Sequence, residues 1–226
     1  GLKMKKVGKG DVIEANRLVH TRLVEADQYV ESSPHFLPEN KRRVRETLQR
    51  EVWPHLNLNE PLAAIDFGCG TGFMFEFLDD YADKIVGVDV TRAMLDRVEF
   101  TSDKLSLHIG VAEQTPFQDE TFNLATAYSF LDHLEDIETF FLEVFRVLKP
   151  GGVFYSGLTP HKKFSRMISK VMNQAPTAKN NPLLAREAIA VADNGQYYES
   201  KFGIDRNCLE LAEYTKTVFG GLDAAT

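Results

Sequence analysis

The feature that most limits how this chain can fold is a recurring junction, in which a short apolar run ends in an acid or a glycine and yields to a helical pattern. Its sharpest instance runs from Leu62-Ala63-Ala64-Ile65 through Asp66-Phe67-Gly68-Cys69-Gly70-Thr71-Gly72 into Phe73-Met74-Phe75-Glu76-Phe77-Leu78. A strand that passes through a glycine turn into a helix aims backbone N–H groups at a ligand. Glycine permits backbone angles and a close approach that a Cβ resists. The ligand held by this turn nearly fixes the reaction.

The junction repeats. Strands are expected at Leu62–Phe67, Lys84–Asp89, Leu105–Ile109, Phe122–Tyr128 and Val153–Gly157, with helical patterns between them. Phe73, Met74, Phe77, Leu78 and Tyr81 predict one helix face, and Thr91 an N-cap for a helix through Met94, Leu95 and Val98. Ile137, Phe140, Phe141, Val144, Phe145 and Leu148 predict the apolar face of a longer helix, ended by Lys149-Pro150-Gly151-Gly152. Five strands separated by helices imply a Rossmann-like, doubly wound, mainly parallel α/β sheet with helices on both faces. Ligands of such sheets bind outside the carboxyl ends of the strands, where these acids and glycines fall.

Around this core, residues 11–32 predict a helix with Val12, Ala15, Leu18, Val19, Leu23 and Ala26 at helical spacing. Pro34 and Pro38 interrupt it, and a second helix is expected from about Glu39 to Val52, closed by Pro54. After Pro160 the alternation fails: residues 161–200 suggest two helices around Asn173–Pro182, and a last helix follows at about Asp205–Phe219. The expected organisation is an N-terminal helical cover (1–60), a ligand-binding core (61–160), a helical lid (161–204) and a last core helix with a short end (205–226).

A chain of 226 residues with 43% hydrophobic and 11% aromatic content suits one folded domain with a modest lid. The net charge of −7 opposes a general nucleic-acid surface. Cys69 and Cys208 make neither a disulfide framework nor a metal cluster. No apolar run approaches the roughly 18 residues of a membrane span. Gly1-Leu2-Lys3-Met4-Lys5-Lys6 lacks the apolar stretch of a signal peptide. The expectation is a soluble cytoplasmic protein with no membrane or nucleic-acid partner.

A dinucleotide turn would repeat as G-x-G-x-x-G. Here glycines fall at 68, 70 and 72, and Phe73 stands where the third dinucleotide glycine belongs. Asp66 adds a carboxylate that suits a cationic ligand better than a pyrophosphate. These residues resemble the class I S-adenosylmethionine-dependent methyltransferases, in the branch of small bacterial methyltransferases. Asp66 to Gly72 is similar to that family's first motif, and Val88-Asp89 to its second. Gly110-Val111-Ala112-Glu113 with Pro116-Phe117 resembles the loop after strand three, and Leu148-Lys149-Pro150-Gly151-Gly152 the turn before strand five. The resemblance spans about 62–160 in order and spacing.

That resemblance implies S-adenosyl-L-methionine as cofactor. It places the backbone of Phe67, Gly68, Cys69, Gly70 and Gly72, with Asp66, beside the amino-acid tail and sulfonium. Asp89 would accept from both ribose hydroxyls. Val90 and Met94 would flank adenine, whose edge would be read near Ala112 and Glu113. Tyr128 would sit near the methyl group, and Tyr29 resembles a tyrosine that covers the cofactor in some relatives. Val111 departs from an Asp that in many relatives accepts from the adenine amino group, and Asn123 replaces a frequent acid. Plainer roles stay open: a tight turn for the glycines, a helix cap for Asp89, a solvated side chain for Glu113.

Catalysis by methyl displacement chiefly needs alignment, with a base where the nucleophile is a hydroxyl or amine. His133 resembles the second His of a Leu-His-His-Leu segment, and His133 with Asp132 is the candidate base; a packing or capping role is the alternative. Asp132, His133 and His161 do not have spacing that demands a metal, and none is expected. No Asn-Pro-Pro-Tyr segment follows strand four, which argues against methylation of nucleic-acid amino groups. His20 lies nine residues before Tyr29 on the same predicted helix. Two basic runs, His161-Lys162-Lys163 with Arg166 and Lys170, and Lys41-Arg42-Arg43-Val44-Arg45, could meet an anionic substrate or simply face solvent. The resemblance also implies sixth and seventh strands, for which only Gly220–Thr226 remain after the last helix: either the tail is absent from the chain given, or the sheet is incomplete or is completed by another subunit, as in a homodimer. The function expected is methyl transfer to a small-molecule acceptor, through oxygen before nitrogen or carbon. A non-catalytic S-adenosylmethionine-binding protein and a nucleotide-dependent oxidoreductase are the rivals.

Overall fold

The structure is a computed structural model that describes residues 10–27, 29, 34–159 and 199–213. The chain divides into two compact units. One comprises Leu23–Leu131 with Asp136–Leu158; the other holds, among the described residues, 10–22, 132–135, 159 and 199–213.

The first unit is built on five strands, β1 (Ala63–Phe67), β2 (Lys84–Asp89), β3 (Leu105–Ile109), β4 (Phe122–Tyr128) and β5 (Leu148–Gly157). They lie in the order β3-β2-β1-β4-β5, and every pairing is parallel. Ala64, Ile65 and Phe67 of β1 are fully buried. A central parallel strand covered on both faces reads as such a continuous apolar run. Strand order reverses between β1 and β4, where Asp66 pairs in register with Thr126. That reversal opens a crevice at the carboxyl ends of the two strands.

The flanking core gathers Val44 and Leu48 of helix α2 (Pro38–Glu51), Trp53, Met74, Phe75, Phe77, Leu78, Ile85 and Leu124. Pro38 at the first position of α2 loses no helical bond, because that N–H has no partner in any case. The Lys41–Arg45 run is a solvated face: Lys41 pairs with Glu76 at 2.8 Å, and Arg42 with Glu39 at 2.8 Å and Glu46 at 2.6 Å.

Several expectations are corrected. The helix after the glycine turn shortens to α3 (Phe75–Leu78), and that after β2 to α4 (Arg92–Leu95). Thr91 occupies the N-cap position of α4, but its side chain caps nothing; its N–H donates to Asp89 Oδ1 at 2.8 Å. On α5 (Ile137–Val147) the buried stripe is Phe140, Glu143, Val144 and Val147, whereas Phe145 is 82% exposed and Phe141 42%. β5 starts at Leu148, which pairs with Phe122, and an irregularity precedes the Leu124–Val153 pair.

Helix α1 (Asp11–Glu25) stops short of the predicted residue 32; Asp27 takes a φ of 53°. Val12, Ala15, Val19 and Leu23 are buried, but Leu18 is exposed. Within the second unit, Asn16 Nδ2 donates to the carbonyls of Val12 at 2.9 Å and His133 at 3.0 Å. Helix α6 (Arg206–Ala212) is capped by Asp205, whose carboxylate accepts from the N–H groups of Asn207 at 2.9 Å and Cys208 at 3.2 Å. The lid helices, the 161–170 basic cluster and the end of the chain lie outside the described residues. Among those described, no helix is long and apolar enough to cross a membrane, and Cys69 and Cys208 are free.

Candidate cofactor site

Asp89, at the end of β2, organises the glycine turn. Its Oδ2 accepts from Gly70 N–H at 2.9 Å and its Oδ1 from Thr91 N–H at 2.8 Å, while its carbonyl accepts from Gly110 N–H at 3.0 Å. One residue thus ties together the turn after β1, the entry to α4 and the loop after β3. The turn itself closes through Gly72 N–H to the Cys69 carbonyl at 2.8 Å, and Cys69 N–H bonds Val88 O at 3.0 Å. Gly70 has a φ of 54°, and a Cβ there would come within 3.2 Å of Tyr29 Oη and 3.3 Å of Met94 Cε. Tyr29 and Met94 therefore both reach the turn.

Asp66, at the end of β1, is buried and accepts from Thr126 Oγ1 at 2.6 Å. Burial pushes its carboxyl up to about 7; the Thr126 hydroxyl opposes this and the neighbouring Asp89 adds to it. Burial likewise raises the Cys69 thiol, with Asp89 and Asp66 reinforcing. The Tyr29 phenol is raised by burial, then by Asp89 and Cys69. No lysine or arginine is among the groups that act on these three side chains. Two carboxyls beside a glycine turn suit a positively charged ligand and oppose a pyrophosphate.

The other predicted contacts divide. The Phe67 ring turns into the core against Phe140 at 5.3 Å, so only its backbone faces the turn region. Gly72 makes room for Phe75, which a Cβ there would meet at 2.6 Å. Val90 follows Asp89 and is half-buried; Ala112 is buried and Glu113 half-buried on the loop after β3. Tyr128 ends β4, its ring 4.8 Å from Phe73; burial, then Tyr155, pushes its phenol up to about 12.

Sequence reasoning missed what holds the loop after β3. Thr115 donates from its N–H and its hydroxyl to Glu143 Oε1, at 2.7 and 2.6 Å. Arg146 grips Glu143 through two nitrogens, at 2.9 and 2.7 Å, and reaches the Phe117 carbonyl at 2.8 Å. Burial raises the Glu143 carboxyl, but the Arg146 and Thr115 bonds outweigh it and hold it below its usual value. An acid inside an apolar helix stripe, three residues before an arginine, was the available signal. Asn123 also has a structural purpose, since its Oδ1 accepts from Ala63 N–H at 2.9 Å and so ties β4 to the start of β1. Phe130 was missed as well; a Cβ on Gly68, whose φ is 64°, would lie 2.0 Å from its ring.

The catalytic candidates fall in the second unit. His133 Nδ1 lies 2.7 Å from the Ala212 carbonyl, which can only accept, so Nδ1 carries the proton and Nε2 keeps its lone pair when the ring is neutral. Nε2 stands 3.9 Å from Asp132 Oδ1, too far for a hydrogen bond, and that buried oxygen has no partner among the described residues. The His20 ring meets His133 edge-on at 5.0 Å. Burial, with His133 adding, pushes His20 down to about 4, against the opposing Asn16 carbonyl and Asp132. Among the described residues no three His, Cys, Asp or Glu side chains gather for a metal.

Residues 65–156 match the family model described as a methyltransferase domain. By that match, residues 65–156 are similar to the class I S-adenosylmethionine-dependent methyltransferases. The cofactor of that family is S-adenosyl-L-methionine. Among curated relatives, the Caenorhabditis elegans sterol 4-C-methyltransferase is 28% identical over 57% of this chain and 42% of its own. The ubiquinone biosynthesis O-methyltransferase of Maricaulis maris is 32% identical over 42% of this chain and 39% of its own. The chain spans half or less of the length of the curated relatives it matches. Among solved structures, a chain of the complex containing the Haloferax volcanii Trm112 methyltransferase activator covers 70% of this chain and 65% of its own, at 20% identity and a TM-score of 0.54. That likeness is one of fold.

Proposed function

We propose that this chain transfers the methyl group of S-adenosylmethionine to a small-molecule acceptor, with oxygen as the first expected nucleophile. The observation that carries the reading is the pair of acids, Asp66 and Asp89, framing the Gly68–Gly70 turn with no basic side chain among the groups acting on Asp66. S-adenosylmethionine, when bound, supplies an electrophilic methyl group on a cationic sulfur.

The chain's own residues fit the remaining tasks. Asp89, whose two oxygens each accept a backbone N–H at the turn, is assigned to the ribose hydroxyls. Asp66 gains a counter-charge from a cationic tail or sulfur, which favours its ionised form. Val90, Met94 and Ala112 offer apolar surface for a purine, and Glu113 a polar edge. Tyr29 covers the turn at Gly70. Tyr128, the last residue of β4, is assigned to the methyl group, and His133 with Asp132 is the candidate base. The segments 1–60 and 161–204 are assigned as cover and lid around the 61–160 core, and they select the acceptor. A cytoplasmic location, a homodimer and the absence of a nucleic-acid partner belong to the same proposal; the net charge of −7 favours the last.

A relative named as an O-methyltransferase supports oxygen; one named as a sterol 4-C-methyltransferase favours carbon as the second reading. Incubation with methyl-tritiated S-adenosylmethionine and a panel of phenols, alcohols, amines and enolisable ketones separates them. Label in an ether is the expected product. Label only in carbon or nitrogen products overturns the oxygen assignment, and cofactor binding without transfer to any acceptor favours a non-catalytic binding protein.

A further inference from the structure

His35 is a buried ionisable side chain that the cofactor site leaves unused. It is 6% exposed, and no hydrogen bond joins its ring nitrogens to a described residue. Its neighbours are rings instead: Phe36 at 4.4 Å, Phe73 at 4.9 Å, Tyr128 at 6.1 Å and Tyr29 at 6.4 Å. An imidazole sheltered among rings, with no hydrogen-bond partner among the described residues, is a polar group that a ligand can engage. Burial pushes its pKa down to about 4, so the ring is neutral at physiological pH. A neutral imidazole keeps one donor and one acceptor nitrogen, and here neither is engaged by a described residue. His133, by contrast, has committed Nδ1 to the Ala212 carbonyl.

Its position is informative. On one side stands Tyr29, whose hydroxyl reaches the glycine turn at Gly70. On the other stands Tyr128, which ends β4 and whose ring a Cβ on Gly157, at the end of β5, would meet at 2.5 Å. His35 therefore lies near both the residue that covers the turn and the carboxyl ends of β4 and β5, the edge at which a parallel sheet binds ligands. The surrounding surface is aromatic, with Phe73 and Tyr128 tilted by only 31° at 4.8 Å, and Phe36 and Tyr128 are only partly buried. Flat ligands stack on such faces or meet them edge-on.

We propose that His35 is an acceptor-contacting residue whose free ring nitrogen accepts a hydrogen bond from the hydroxyl of a planar aromatic acceptor held against Phe36, Phe73 and Tyr128. The proposal rests on the methyltransferase reading and names the substrate class of that same site. The hydrogen bond orients the hydroxyl oxygen, and the aromatic faces supply affinity without discriminating among ring substituents.

The test uses 2-naphthol as the probe, with naphthalene as its hydroxyl-free counterpart, on the full chain loaded with S-adenosylhomocysteine. Binding is followed by probe fluorescence, and S-adenosylhomocysteine affinity by calorimetry. The wild type is expected to prefer 2-naphthol by about five- to tenfold, a typical hydrogen-bond increment. His35→Phe removes that preference and leaves S-adenosylhomocysteine affinity unchanged; His35→Gln, which restores an acceptor, recovers part of it. A preference that survives in His35→Phe, or a wild type with none, overturns the proposal. If His35→Phe does not fold, His35→Gln decides: retained preference supports the contact, and a folded variant without preference overturns it. A wild type that does not bind S-adenosylhomocysteine overturns the parent reading instead, and the naphthol preference of the unloaded protein then decides the subsite.

Discussion

Asp66 is buried at the end of β1, with one hydroxyl partner and a second carboxylate nearby. Its folded-state pKa of about 7 lies above the ordinary 3.8, so the native state holds its proton more tightly than the unfolded chain. Below the ordinary value this contribution to stability is fully present; it falls as pH rises and is gone above the folded value. Comparing wild type with Asp66→Asn by thermal unfolding between about pH 5 and about pH 8 isolates it. The variant is expected to gain on the wild type by on the order of 2 kcal/mol across that window, at about 1.4 kcal/mol per unit. Parallel curves would show that Asp66 is not held protonated. Both strand-end acids were legible in the sequence because their positions follow from where β1 and β2 stop. His35 and Glu143 were not, since their significance depends on ring and hydroxyl partners 28 to 93 residues distant: Thr115 for Glu143 and Tyr128 for His35.

The limits of β2, β3 and β4 were legible to the residue, because each is a short apolar run bounded by turn residues. The face of α5 was not. Its sequence carries two overlapping apolar stripes, and spacing alone does not choose between Phe141–Phe145 and Phe140–Val144–Val147. The choice falls to packing: Phe140 meets the rings of Phe67 at 5.3 Å and Phe130 at 5.6 Å, and Glu143 must face Thr115. Phe140→Ala is accordingly expected to cost about 3–5 kcal/mol in denaturant unfolding, and Phe145→Ala to stay within about 0.5 kcal/mol. Equal effects would contradict the assigned face. Helices α3 and α4 were overestimated for a different reason. Tight turns continue their spacing beyond the helix, as in Arg97 N–H to Met94 O at 3.1 Å and Val98 N–H to Leu95 O at 3.2 Å. Apolar periodicity therefore outlasts the α-helical bonds, and Val98 remains partly buried.

Across the chain, the family signature, the sheet order and the site converge on residues 62–160. The five strands and their crevice were legible from the alternation, whereas the segments expected to choose the acceptor carry no comparable motif signal. The assignment of donor is consequently sharper than that of acceptor. The proposed donor site is a glycine turn clamped by Asp89 and faced by a second acid, a setting that suits a cationic nucleoside better than a dinucleotide. Calorimetric titration of the full chain with S-adenosylhomocysteine and, separately, with NAD tests this most directly. S-adenosylhomocysteine should bind one to one, with affinity reduced at least about tenfold by Asp89→Ala, the usual consequence of losing hydrogen bonds to a charged group, and NAD should give no heat. Binding of NAD with no response to S-adenosylhomocysteine would contradict it.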